Sequence, residues 1–87
     1  MREEIKKIIN ECGFNIVEET SEYIELRNFT PAGEDWNETF WHYGLEKELH
    51  NEIFEFLNNF DIEDENEKLI ARQLEILDDR LRSFIYG

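Results

Sequence analysis

The chain has 87 residues and a formal net charge of −13 at pH 7, from 22 acidic and nine basic side chains. This length predicts a single domain covering residues 1–87, and a hydrophobic share of 40% is enough for one small core. The charge excludes direct binding to nucleic acids and to anionic membranes, because a strongly negative protein repels phosphate groups.

The acidic residues are spread along the whole chain. Residues 1–44 carry ten acids and four bases, and residues 45–87 carry twelve acids and five bases. An acidic tail on a neutral domain would instead concentrate the charge at one end. Two interpretations remain: the acids only keep the protein soluble and self-repelling, or they face a partner that has a positively charged groove.

Cysteine usage indicates a reducing compartment, and hydropathy indicates that the chain does not span a membrane. Cys12 is the only cysteine, so the chain forms neither an internal disulfide nor a thiolate metal cluster, and the acidic surroundings favour a packed thiol over a reactive one. No segment approaches the about 20 apolar residues that span a bilayer. Acids in the first turns also argue against a signal peptide. We therefore expect a cytoplasmic protein.

The first half of the chain predicts one helix followed by three strands. Ile5, Ile8, Ile9 and Cys12 recur at helical spacing within residues 2–12, and Gly13 is placed to end that helix. Alternating patterns predict strands at 14–19, 23–29 and 36–43. The turn between the last two strands contains Pro31, Ala32 and Gly33, where proline presets φ and glycine is free to adopt a positive φ.

The second half predicts two amphipathic helices, at 45–60 and 66–85. The apolar stripe of the first consists of Leu45, Leu49, Ile53, Phe56, Leu57 and Phe60. The stripe of the second consists of Ile70, Leu74, Leu77, Leu81 and Phe84, widened by Leu69 and Ile76. The last helix either packs as a hairpin on the preceding one or forms the seam of a homodimer. On its surface, Asp78 and Arg82 are expected to form an ordinary ion pair at i, i+4.

This order, α-β-β-β-α-α, predicts an α+β fold in which helices cover a small three-stranded antiparallel sheet. Both faces of the sheet carry aromatic residues, so the sequence leaves the choice of core face open. One consistent choice packs Ile24, Leu26, Phe40 and either Trp36 or Trp41 against the helices. The aromatics on the other face would then be covered by a helix or form a contact surface, and we expect coverage.

Motifs for catalysis, cofactors and metals are missing from the sequence, so we expect a protein that is not an enzyme and has no catalytic residues, cofactor or metal site. Glu46 and His50 lie at i, i+4 and could supply two metal ligands, but HExxH is absent. Residues 61–67 read DIEDENE and lack the glycine of an EF-hand loop. His42 and His50 are therefore interpreted as packed or exposed side chains.

Three groups of residues are candidates for binding a basic partner. The turn and third strand supply Glu34, Asp35, Trp36 and Glu38. The helix at 45–60 supplies an acidic row, Glu48, Glu52 and Glu55, spaced by about one helical turn. The segment before the last helix supplies Asp61, Glu63, Asp64, Glu65 and Glu67. Part of this last group has a structural explanation, because Asp61 or Asp64 could cap the helix and acids favour its N-terminus.

The middle of the chain, YIELRNFTPAGEDWNETFW, resembles a recurring pattern in small acidic proteins of phages and bacterial mobile elements. The residues that carry the resemblance are Tyr23, Glu25, Pro31 to Trp36, Glu38, Thr39 and Trp41. Such proteins include anti-CRISPR and anti-restriction inhibitors, several of which occupy the DNA-binding channel of a nuclease. The resemblance implies an inhibitor in the cytoplasm of a bacterial host cell whose partner is a CRISPR effector or a restriction nuclease. It assigns no individual site residue.

The alternative function is a non-enzymatic interaction or regulatory protein, such as an antitoxin-like or structural subunit, without a nuclease target. A homodimer seam along the last helix would favour this alternative. Either way, the partner would be a protein with a basic surface.

Overall fold

The computed structural model describes residues 2–60 and 65–87 and has the predicted α+β order. The helices are α1 (Glu3–Glu11), α2 (Glu46–Asn58) and α3 (Glu65–Tyr86), and the strands are β1 (Asn15–Glu19), β2 (Tyr23–Phe29) and β3 (Asp35–Trp41). The sheet is antiparallel, with β2 between β1 and β3. None of the helices in the described ranges is long and apolar enough to cross a bilayer.

Helix α1 ends as the sequence predicts. Gly13 has a φ of +97°, and its N–H donates to the carbonyl of Asn10 at 3.1 Å. The N–H of Phe14 reaches back to the carbonyl of Ile9 at 3.2 Å, which completes a Schellman motif. Phe14 and Ile9 are both buried in the core, so the end of the helix is also the point where the chain enters the sheet.

The core lies between one face of the sheet and the three helices. Ile24 and Leu26 of β2 are fully buried, and Phe40 lies opposite Ile24 on β3. Trp36, not Trp41, faces the helices: its ring centroid lies 6.2 Å from that of Phe56 on α2. The fully buried residues of the helices are Ile5, Ile9, Leu49, Ile53, Ile70, Leu74, Leu77 and Leu81.

Helix α3 packs as a hairpin on α2, so its apolar stripe is used within one chain. Ile70, Leu77 and Leu81 are each 0% exposed, whereas Phe84 is 37% exposed, so most of the proposed dimer seam is buried within one chain. Homodimer formation stays a prediction. The expected widening of the stripe by Leu69 and Ile76 is wrong, because these side chains are 45% and 50% exposed. Helical periodicity places Leu69 and Ile76 next to the stripe, but it does not show how much of the surface of α3 is covered by α2.

Asp78 was expected in a surface ion pair with Arg82, and only half of that prediction is correct. The carboxylate does accept a hydrogen bond from Arg82 at 3.0 Å, but the Asp78 side chain is buried. It is buried because it also contacts the imidazole of His50 on α2. Sequence spacing within α3 carries no information about this partner from another helix.

The third strand ends two residues earlier than predicted. Trp41 is its last residue, and the chain then turns through His42, Tyr43 and Gly44. Tyr43 has a φ of +48° and Gly44 a φ of +81°, and left-handed residues cannot continue a strand. Glycine at 44 signals the turn, but a tyrosine at a positive φ gives no such signal.

The face of the sheet opposite the helices is exposed, so the expected coverage by a helix is wrong. Phe29, Trp41 and Tyr43 are 47%, 41% and 64% exposed. Phe29 and Trp41 alternate with the buried positions of β2 and β3, Tyr43 follows just beyond the end of β3, and the helices all pack on the buried side. We refer to the exposed side of the sheet as the open face.

Candidate protein-binding surface

The residues predicted at the turn before β3 lie in different environments. Glu34 is exposed, and its N–H donates to the hydroxyl of Thr30 at 3.1 Å. Asp35 is also exposed and pairs with Arg27 at 3.0 Å. Trp36 is half-buried and packs against Phe56 as well as Phe14, so most of its ring serves the core. The turn therefore presents one carboxylate without an ion pair among the described residues, one paired carboxylate and little aromatic surface.

Three predicted acids from two separate groups meet in one place. Glu38 of β3 and Glu52 and Glu55 of α2 line a shallow cavity of about 280 Å³. Its walls are completed by Thr39, Phe40, Phe56 and Asn59. We call this cavity the acidic groove. A lysine or arginine side chain of a partner could enter it, with its alkyl stem against the phenylalanine rings and its charge among the carboxylates.

Helix–strand packing explains how Glu38 reaches this position. It lies opposite Leu26 in the register, on the side of the sheet that faces the helices, and it is half-buried. Since β3 is at the edge of the sheet, an inward-pointing charge there also discourages pairing with another strand. Protection of the sheet edge is a structural reason for the charge of Glu38, but it gives no reason for the charges of Glu52 and Glu55.

The acidic row of α2 has no compensating cation within the described ranges 2–60 and 65–87. Glu48, Glu52 and Glu55 make no ion pair there, and neither does Glu38. Like charges at helical spacing cost a few tenths of a kcal/mol per pair. Glu48 does not line the groove, but it extends the row by one helical turn toward the start of α2.

Most basic side chains are already neutralised by other carboxylates. The ion pairs in the described part of the chain join Arg2 to Glu46, Lys6 to Glu3 and Glu19, Arg27 to Asp35, Lys68 to Glu65, Arg80 to Glu11, and Arg82 to Asp78 and Asp79. None of these ion pairs involves a carboxylate of the acidic groove, so they leave its negative field uncancelled.

The third predicted group is described only in part. Asp61, Glu63 and Asp64 lie outside the described residues, as do both candidate helix caps. Glu65 and Glu67 form the first turn of α3, where the helix dipole stabilises negative charge. Glu65 pairs with Lys68 at 2.8 Å, so this carboxylate is bound within its own helix.

Glu46 and His50, considered above as two metal ligands, each contact another side chain. Both Glu46 carboxylate oxygens accept hydrogen bonds from Nε of Arg2, at 2.9 and 3.0 Å, and His50 contacts Asp78. The bond from Arg2 holds the pKa of Glu46 below its usual value. Within residues 2–60 and 65–87, no three histidine, cysteine, aspartate or glutamate side chains are grouped as metal ligands.

The sequence placed the candidate aromatic contact at Trp36, and for the aromatics of the other face it offered either coverage by a helix or a contact surface, of which we expected coverage. Tyr23, Trp41 and Tyr43 lie together on the open face, with Glu18 and Glu25 beside them. The outward alternation of Tyr23 in β2 and of Trp41 in β3 was readable from the sequence. The missing information was which face the helices would cover.

Comparison with protein-family models, with curated proteins and with solved structures gives no significant match to this chain.

Proposed function

We propose that this protein is an inhibitor that binds the basic nucleic-acid-binding groove of a bacterial defence nuclease, in the cytoplasm of the host cell, and acts there as a DNA mimic. The targets that fit best are a CRISPR effector and a restriction enzyme. It acts as a binding protein and has no catalysis of its own.

The observation that supports this proposal is the acidic groove together with the row that extends it. Glu38, Glu52 and Glu55 converge on one cavity although they come from two elements, and no described cation neutralises them. Carboxylates one helical turn apart are spaced by about 5–6 Å along the helix, so several lysines or arginines that normally contact phosphates could be engaged together.

Electrostatics favours a protein partner of this kind over nucleic acid itself. A channel that binds DNA is lined with lysine and arginine, which attract a protein of net charge −13 at long range and at low salt. The phenylalanines in the groove walls add apolar contact for the stems of those side chains. Opposite charge attracts the two proteins to each other, and the shape of the acidic groove determines where the basic side chains of the partner bind.

The test is a panel of reconstituted nucleases, including a Cas9-type effector and several restriction endonucleases, each assayed for DNA cleavage with the protein added. We expect one of them to lose cleavage and to co-elute with the protein. The affinity of that nuclease for the protein should fall at least tenfold between about 50 and 200 mM salt. Carboxylates that stand in for several phosphates would each contact a lysine or arginine of the nuclease, and salt weakens all of these contacts together.

Charge-matched variants locate the contact. Glu52→Lys with Glu55→Lys should weaken inhibition at least tenfold, because the reversed charges would face the basic residues of the target. Glu4→Lys with Glu75→Lys changes the net charge equally at exposed positions outside the groove and should weaken it less than threefold. Equal losses would contradict a role for the groove. A panel without any inhibited nuclease would overturn the nuclease target and would favour a regulatory partner.

A further inference from the structure

The open face carries a row of three aromatic rings at one end of the sheet. Tyr23 lies opposite Trp41 in the β2–β3 register, with ring centroids 5.2 Å apart. The ring of Tyr43 stacks on Trp41 at 6.0 Å with an interplanar angle of 22°. Trp41 and Tyr43 remain 41% and 64% exposed although they contact each other. Exposed aromatic surface of this kind is typical of binding sites.

Backbone geometry holds the outer ring of this row in place. Tyr43 is the only described non-glycine residue with a positive φ, +48°, a conformation that L side chains rarely adopt and that is strained for a bulky residue. The carbonyl of Glu22 fixes it by accepting hydrogen bonds from the N–H groups of His42 and Tyr43, at 2.8 and 3.1 Å. Glycine or asparagine would adopt this turn with less strain. The tyrosine instead adds an exposed ring to the row.

Carboxylates surround the row. Glu18 and Glu25 lie directly opposite each other across β1 and β2, an arrangement of like charges that destabilises a sheet. A hydrogen bond to Glu18, followed by burial and by the charges of Glu18, Glu25 and Glu22, raises the pKa of the Tyr23 hydroxyl. In the described part of the chain, Glu18, Glu22 and Glu25 have no ion-pair partner. The field over these rings is therefore negative.

The other end of the same face shows how such a site receives a cation. The guanidinium of Arg27 lies 5.1 Å from the centroid of the Phe29 ring, and it pairs with Asp35 at 3.0 Å. An exposed aromatic ring and a neighbouring carboxylate there hold one guanidinium between them. Trp41, Tyr43 and the three glutamates offer the same two kinds of group, and no cation of the described chain lies over the Trp41 ring.

We propose that Tyr23, Trp41 and Tyr43, with Glu18, Glu22 and Glu25, form a docking surface for an arginine-bearing segment of a partner protein. A planar guanidinium stacks on aromatic faces and pairs with a carboxylate at the same time, which an ammonium group does less well. Acidic segments and nucleic acids are repelled. The surface is on the opposite side of the sheet from the acidic groove, and it does not depend on a nuclease target.

The test uses two synthetic peptides, acetyl-Arg-Gly-Arg-Gly-Arg-amide and its lysine counterpart, titrated into ¹⁵N-labelled protein at low salt. The readout is the indole N–H resonance of each tryptophan, assigned with Trp41→Phe. We expect a saturable shift of the Trp41 resonance and a smaller one for Trp36, which is half-buried on the other face. The arginine peptide should bind at least about threefold tighter than the lysine peptide.

Two matched pairs of variants separate this surface from general charge. Glu18→Gln with Glu25→Gln should weaken the arginine peptide about fivefold, whereas Glu52→Gln with Glu55→Gln removes the same charge and should weaken it less than twofold. The first pair also relieves a like-charge contact, so it should fold at least as well as the parent. Tyr43→Ala should weaken binding, and Phe54→Ala, at an apolar position on α2 that is 49% exposed, should not.

Several outcomes would overturn the proposal. Equal affinity for the arginine and lysine peptides would show that the aromatic rings do not select a guanidinium. Equal losses of affinity in the two Glu→Gln double variants would show that the open face does not bind the peptide. A short single-stranded oligonucleotide that shifts Trp41 would identify a base-stacking surface in place of a guanidinium site. Failure of the nuclease panel leaves this result unaffected, because the peptide titration contains no nuclease.

Discussion

Nδ1 of His50 on α2 lies 2.5 Å from a carboxylate oxygen of Asp78 on α3, and both side chains are buried. As a carboxylate, Asp78 accepts, so the imidazole nitrogen donates. The other oxygen of Asp78 accepts from Arg82 at 3.0 Å. The two helices are thus joined by a polar contact in addition to their apolar stripes, and its two partners are 28 positions apart.

Replacing Asp78 tests how much this contact stabilises the fold. Asp78→Asn keeps the shape but removes the charge, and we expect a loss of about 1.5–3 kcal/mol, the range for hydrogen bonds to charged groups. Asp79→Asn is the matched control, since the Asp79 side chain is 76% exposed and its one ion-pair partner within residues 2–60 and 65–87 is Arg82. It should cost less than about 0.5 kcal/mol. Urea unfolding followed by circular dichroism measures both, and equal losses would contradict a structural role for the His50–Asp78 contact.

Gly13 is required for two separable reasons, a positive φ and a close approach. A Cβ at Gly13 would lie 2.7 Å from Nε2 of Gln73, whose Oε1 accepts a hydrogen bond from Asn28. Gly33 also has a positive φ, +83°, but a Cβ there would meet nothing within 4 Å. Gly33→Ala should therefore cost about 1–2 kcal/mol from backbone strain alone. Gly13→Ala should cost about 1 kcal/mol more, because Gln73 must move.

Thermal and urea unfolding of both alanine variants give the comparison. A Gly13→Ala variant as stable as Gly33→Ala would show that Gln73 shifts without losing its bond to Asn28. Asn28→Ala in the Gly13→Ala background completes a double-mutant cycle, and a coupling energy near zero would contradict the proposed link.

The Arg2–Glu46 pair predicts a specific dependence of stability on pH. The bond from Arg2 lowers the pKa of Glu46 in the folded protein, so the pair stabilises the fold above the ordinary glutamate pKa of about 4.3. This contribution is lost as the pH falls through the lowered folded pKa. Arg2→Gln should lower the free energy of unfolding only slightly at pH 7, since the Arg2 side chain is 56% exposed, and progressively less below about pH 4.

Lys7→Gln serves as the control for the change in net charge, because Lys7 is exposed and has no ion pair among the described residues. Unfolding free energies of the parent and both variants between pH 7 and pH 3 decide the prediction. A cost of Arg2→Gln that stays constant down to pH 3 would assign the effect to its contact with Phe84, at 4.6 Å, and not to Glu46.

The order of elements and much of the core could be predicted from the sequence, because these depend on local periodicity. The stripe of Ile5, Ile8 and Ile9 and the glycine that follows it predicted α1 and its end correctly. Pro31 and Gly33 likewise predicted the turn before β3, where the N–H of Gly33 donates to the carbonyl of Thr30 at 2.8 Å. Such features are decided by neighbours within a few residues.

Only the tertiary structure decided which surfaces remain free. The sequence contained Glu38, Glu52 and Glu55, but their convergence depends on where α2 packs on the edge of the sheet. It also contained Trp36 and Trp41 on opposite faces, but the helices partly cover Trp36 and leave Trp41 exposed. Periodicity states which residues share a face, whereas burial depends on contacts between segments far apart in the chain.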